Sequence, residues 1–90
     1  METIEALLAF AALSQNTRLD VFRLLIEHEP EGLPAGEVAR RLAVPANTMS
    51  AHLGVLARAR LVSAERRSRT IIYRAEIDSL RALIDFLATN

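Results

Sequence analysis

The chain has 90 residues, 51% of them hydrophobic, which is enough for one domain. A monomer of this size buries only about two thirds of the surface that its unfolded chain exposes, so a partner subunit would help to complete the core. The absence of cysteine excludes a disulfide, a thiol sensor and a thiolate metal ligand. No apolar run is long enough to span a bilayer, and the start METIEALLAF lacks the basic opening of a signal peptide; a cytoplasmic protein with no membrane partner is expected.

The net charge of zero hides an uneven distribution. Residues 1–37 hold seven acids against two arginines, residues 38–74 hold eight arginines against one acid, and residues 75–90 hold three acids against one arginine. A basic centre between acidic ends points to a polyanion met by the central segment. The competing reading is a solvated face with internal ion pairs.

Along the chain, Thr3 to Leu13 carries Ile4, Leu7, Leu8 and Ala11 at helical spacing, and Phe10 and Leu13 spread the apolar surface beyond one face. Ser14, Asn16 and Thr17 offer cap chemistry for a second helix, whose Leu19, Phe22, Leu25 and Ile26 repeat until it ends before Pro30. "EPEGLP" reads as a loop. A short third helix from Ala35 to Leu42 turns Val38 and Leu42 inward and Arg40 and Arg41 outward, and "AVPA" leads into a fourth helix over 46–60. The period then falls from 3.6 to about 2. "LVSAERRSRTIIYRA" has β-favouring residues around a polar turn from Arg66 to Arg69, which predicts a hairpin over 62–74. From Glu76, Ile77, Leu80, Leu83, Ile84 and Leu87 restore helical spacing, again too widely spread for one core face. The expected architecture is one mainly α domain over 1–90, four helices, a β-hairpin wing and a last helix.

The fourth helix, "PANTMSAHLGVL", has an unusual outer side. Met49, Leu53 and Leu56 form a buried stripe, whereas Asn47, Ser50, Ala51 and Gly54 opposite are small and include no acid. Such a face suits a helix laid in the major groove of a duplex, where small side chains let the backbone approach base edges and a carboxylate would repel phosphate. Arg40 and Arg41 could hold phosphates on one side, and Arg66, Arg67 and Arg69 of the hairpin on the other. Asn47 can pair with N6 and N7 of adenine or can act as the N-cap of the helix; Thr48, Ser50 and the Ala51 methyl offer weaker base contacts. His52, about 60° from the centre of the buried stripe, suits a packed or phosphate-bonded imidazole better than a metal ligand. Gly54 costs about 1 kcal/mol relative to Ala, so the helix either meets something closely there or tolerates the loss.

Other chemistry is weakly supported. His28, Glu29 and Glu31 at a loop entrance could suggest a metal, but such groups are usually solvated. The two histidines lie in separate helices, and no glycine-rich phosphate loop or paired-carboxylate motif is present, so neither an enzyme nor a cofactor is expected. The alternative to DNA binding is a module used only for protein interaction.

"LSQNTRLDVFRLL" followed by "GLPAGEVARRLAVPANTMSAHLGVLARARLVSAERRSRTIIYRA" resembles the ArsR/SmtB family of winged helix-turn-helix repressors over nearly the whole chain. The matching parts are the T-R-L opening of the second helix, S-x-H-L at Ser50 to Leu53, L-x-x-A-x-L-V at Leu56 to Val62, and a basic wing ending in I-Y. The resemblance implies a sequence-specific repressor released by an effector. It implies a homodimer joined through the first helix, at Ile4, Leu7, Leu8 and Ala11, and the last, at Ile77, Leu80, Ile84 and Leu87. It further implies double-stranded operator DNA with half-sites about one helical turn apart. The sensor positions depart from the family. Its metal-binding C-x-C falls on Pro34 and Gly36, and its Asp and His ligands on the last helix reduce here to Asp78 and Asp85. "GLPAGEVA" and "IDFLATN" resemble an arsenic-responsive branch in which adjacent cysteines follow such an ending, which leaves arsenite as an effector only for a longer natural C-terminus.

Overall fold

The computed structural model describes residues 1–89. Its elements are α1 (Thr3–Leu13), α2 (Asn16–Glu27), β1 (Leu33–Pro34), α3 (Ala35–Leu42), α4 (Ala46–Arg58), β2 (Val62–Arg67), β3 (Thr70–Ala75) and α5 (Ile77–Ala88). The expected order holds, with one strand added. β1, read from the sequence as loop, pairs antiparallel with β3 through Leu33 opposite Tyr73 and Pro34 opposite Ile72, giving a sheet of order β1-β3-β2. Pro34 lacks an N–H to give to the ladder, which an edge strand tolerates. Gly32 makes the pairing possible: at φ 74°, a Cβ there would lie 2.4 Å from the Tyr73 carbonyl oxygen.

Helix ends show where local chemistry was decided. Glu2 and Glu5 form a reciprocal capping box at the start of α1, with the Glu2 N–H donating to Glu5 Oε1 over 2.9 Å. The N-cap of α2 is Gln15, whose side chain accepts from the Arg18 N–H at 3.0 Å, and not Ser14, Asn16 or Thr17. Ser14 serves the preceding helix instead, donating from Oγ to the Ala11 carbonyl over 2.8 Å. α4 stops at Arg58, two residues before the expected end, because Arg60 takes a left-handed conformation at φ 63°. The N–H groups of Arg60 and Leu61 bond back to Ala57 and Leu56 in a Schellman pattern. That turn drives Leu61 into the core, where it is fully buried.

The core joins Val21, Phe22 and Leu25 of α2, Val38 of α3, Met49, Leu53 and Leu56 of α4, Leu61 and Val62, and Leu83 of α5. Leu19, expected on the α2 stripe, is exposed, and Val21 takes its place; Ile26 and Leu42 are only half-buried. α1 contributes Ala6, Ala9 and Ala12, whereas its Ile4, Leu7 and Leu8 face outward. Small residues there let α1 lie close against α2, α4 and α5. Among the described residues no helix is long and apolar enough to cross a membrane.

Candidate nucleic-acid interface

α3 packs on α4, joined by Ala43 to Pro45, with Ala43 in the left-handed region at φ 55°. Pro45 is the N-cap of α4 and carries no capping side chain, so Asn47 is not the cap. Asn47 lies inside the first turn, where its Oδ1 accepts from the Thr48 N–H at 3.0 Å and so satisfies one of the free amides of the helix start. Asn47, Thr48, Ser50 and Ala51 are exposed, His52 is half-buried, and the first turn contains no acid. Gly54 has a close neighbour. It is half-buried beneath Arg58, and a Cβ would come within 3.3 Å of Arg58 Nη1, so the close neighbour of this glycine is a side chain of its own helix.

On α3, Glu37 gathers both arginines of the flank. Arg40 donates through Nε to Glu37 Oε1 over 3.0 Å and through a second nitrogen to Oε2, while Arg41 Nε donates to Oε2 over 2.7 Å. The hydrogen bonds from Arg40 and then Arg41 hold the Glu37 carboxyl down at about 2. The other side of Arg41 meets His28: Nη1 lies 3.0 Å from Nε2, and Nδ1 of the same ring lies 2.9 Å from the Leu24 carbonyl. A carbonyl can only accept and a guanidinium can only donate, so in this network Nδ1 donates to Leu24 and Nε2 accepts from Arg41. Both ring nitrogens of His28 are thus engaged. Among the described residues no three His, Asp or Glu side chains converge as a metal set.

The wing repeats the arrangement. Arg66 and Arg67 lie within β2, opposite Ile71 and Thr70, and the turn itself is only Ser68 and Arg69, with Ser68 at φ 58°. A two-residue hairpin loop needs such a positive φ at its first position. Glu65 accepts from Arg67 Nε over 3.3 Å and from Arg74 Nη1 over 2.5 Å. These bonds, the one from Arg74 first, keep its carboxyl below the usual range. Arg74 is also anchored through Nε to the Pro30 carbonyl over 3.0 Å, which ties the α2–β1 loop to the wing. Among the described residues Arg66 and Arg69 make no ion pair and are exposed. Arg74 escaped the sequence reading because its partners depend on strand register. Glu37 escaped it too, although three and four residues before Arg40 and Arg41 is the spacing of a helical ion pair.

On α1, Ile4 is 70% exposed, Leu7 58% and Leu8 57%, with Ala11 also exposed, and on α5 Ile84 is 54% and Leu87 66% exposed. Ile77 and Leu80, expected in the same surface, are half-buried against the monomer's own core.

Residues 13–63 match the family described as "Helix-turn-helix domain". A solved ArsR-like transcriptional regulator from Rhodococcus sp. RHA1 is 31% identical, with a TM-score of 0.81 over 94% of this chain and 77% of that one. The HTH-type transcriptional regulator YbzH of Bacillus subtilis is 30% identical over 100% of this chain and 99% of its own length. The homodimeric winged helix-turn-helix DNA-binding domain of Mb0332 from Mycobacterium bovis, a possible ArsR-family regulator, is 26% identical, with a TM-score of 0.77 over 93% of this chain and 78% of that one. Fold, motif order and these similarities converge: the chain belongs to the ArsR-type winged helix-turn-helix transcriptional regulators.

Proposed function

We propose that residues 1–90 act as one unit, a cytoplasmic homodimeric repressor that binds operator DNA with α4 in the major groove and the hairpin wing along the flanking backbone. The observation that carries this reading is the exposed, acid-free start of α4, which packs against α3 and β2, two elements that carry exposed arginines. In this arrangement Asn47, Thr48, Ser50 and Ala51 face base edges and His52 the neighbouring phosphate. Arg40, Arg41, Arg66, Arg67 and Arg69 position the helix without reading sequence. The large apolar side chains of Ile4, Leu7, Leu8, Ile84 and Leu87 join two copies, which sets two reading helices about one helical turn apart. An apolar surface spread over two helix faces is a poor match to water and a good match to a second copy of itself.

Fluorescence anisotropy with a labelled duplex from the gene's own upstream region, against a scrambled duplex and at several salt concentrations, tests the proposal. Tight binding to the native duplex alone is expected; equal and weak binding to both would favour a protein-interaction module instead. Adding arsenite in the same titration identifies the effector if the duplex is released.

A further inference from the structure

Glu37 and Glu65 are the acids nearest to the two arginine flanks, and each holds two guanidinium groups. We infer that these two carboxylates act as built-in competitors for the arginines that would otherwise bind DNA phosphate, holding down sequence-independent affinity. The inference rests on the DNA-binding reading above and adds residues that no base or phosphate contact requires.

The argument is one of matched chemistry. A carboxylate presents two oxygens to a guanidinium in the same fork that a phosphate does, so Arg40, which gives that edge to Glu37, and Arg67, which gives its Nε to Glu65, must exchange one anion for another before these N–H groups turn to DNA. The exchange lowers the gain of each phosphate contact while leaving base contacts untouched. The two sites share a further detail. In each, one arginine has a second anchor, Arg41 on His28 and Arg74 on the Pro30 carbonyl, while the other, Arg40 or Arg67, is tied by the carboxylate alone and is largely exposed, at 71% and 60% of its side chain. Each carboxylate therefore governs one releasable arginine, Arg40 on α3 and Arg67 on β2.

The test uses the full chain carrying Glu37→Gln, Glu65→Gln or both, with Asp20→Asn, an exposed acid on α2 outside these pairs, as a control of equal charge. Binding to a scrambled duplex of about 30 base pairs, roughly three helical turns, is followed against salt. Each glutamine variant is expected to bind the scrambled duplex roughly three- to tenfold more tightly at low salt, with a salt slope steeper by about two units, one arginine in each subunit of the dimer. Affinity for the upstream duplex should rise no more than that. An unchanged slope, weaker binding, or an equal gain from Asp20→Asn overturns the inference, the first two by showing that the carboxylates position the arginines, the last by reducing the effect to net charge. Wild-type protein without affinity for any duplex sinks the DNA-binding reading itself and the inference with it. Thermal melting of each variant separates these results from loss of fold.

Discussion

α1 and α4 are both helices with one small face and one large face, and they are mounted in opposite senses. α1 buries Ala6, Ala9 and Ala12 and leaves Ile4, Leu7 and Leu8 outside; α4 buries Met49, Leu53 and Leu56 and leaves Asn47, Ser50 and Ala51 outside. The difference teaches that, on the proposed reading, the outward face of each helix matches a different kind of partner. Large apolar side chains exposed at more than half their area offer roughly 25 cal/mol for each Å² that another apolar surface covers. Small polar ones offer almost no burial but allow a backbone to come close, which is what reading a groove demands.

The most severe way to break the contrast is to make the outer face of α1 and α5 polar. Ile84→Glu should give a folded monomer by analytical ultracentrifugation and lower operator affinity by about 100-fold or more, since two linked half-site contacts become independent. Ile84 is a cleaner target than Leu80, whose side chain also packs on the monomer's core. A variant that remains dimeric removes this surface from the assembly. The inner face of α1 is the next target: Ala9→Leu puts three extra carbons where Ala9 is 1% exposed and should lower stability by about 1 to 3 kcal/mol in a denaturant melt. On α4, Asn47→Ala should relax preference at one base pair of each half-site by about 1 to 3 kcal/mol in competition binding. A change in melting alone would leave Asn47 with only its bond to the Thr48 amide. The smallest effect belongs to Gly54→Ala. Arg58 is flexible at its far end and can move aside, so the variant should gain up to about 1 kcal/mol of stability and bind DNA as before. Weakened binding would return Gly54 to the groove-facing side.

The order of elements was legible because each is long enough to show its period, and the change from 3.6 to 2 after Leu61 is abrupt. β1 was not, since a two-residue strand exists only by pairing with β3, forty residues away in register (Leu33 with Tyr73). The phase of α1 was not legible either: with leucine and alanine all around the helix, periodicity finds the helix without telling which side is the core. Gln15 was missed as a cap because three residues with better capping statistics surround it. At the candidate interface the basic segment and the outer face of α4 could be read directly from residue types. The pairing of Glu65 with Arg74 could not, because residues nine apart meet only once the hairpin register is set.

The seam at Gly32 has a mechanical consequence. Because β1 is stitched to β3 and Arg74 is fastened to the Pro30 carbonyl, the chain entering α3 and the wing leaving α4 are welded into one head. A push on the wing is transmitted to α3, and twisting one against the other means tearing the seam. In the proposed dimer of such heads the compliant joint is the one between the two copies, so a signal that released DNA would act most cheaply on the distance and angle between heads and not on the shape of either.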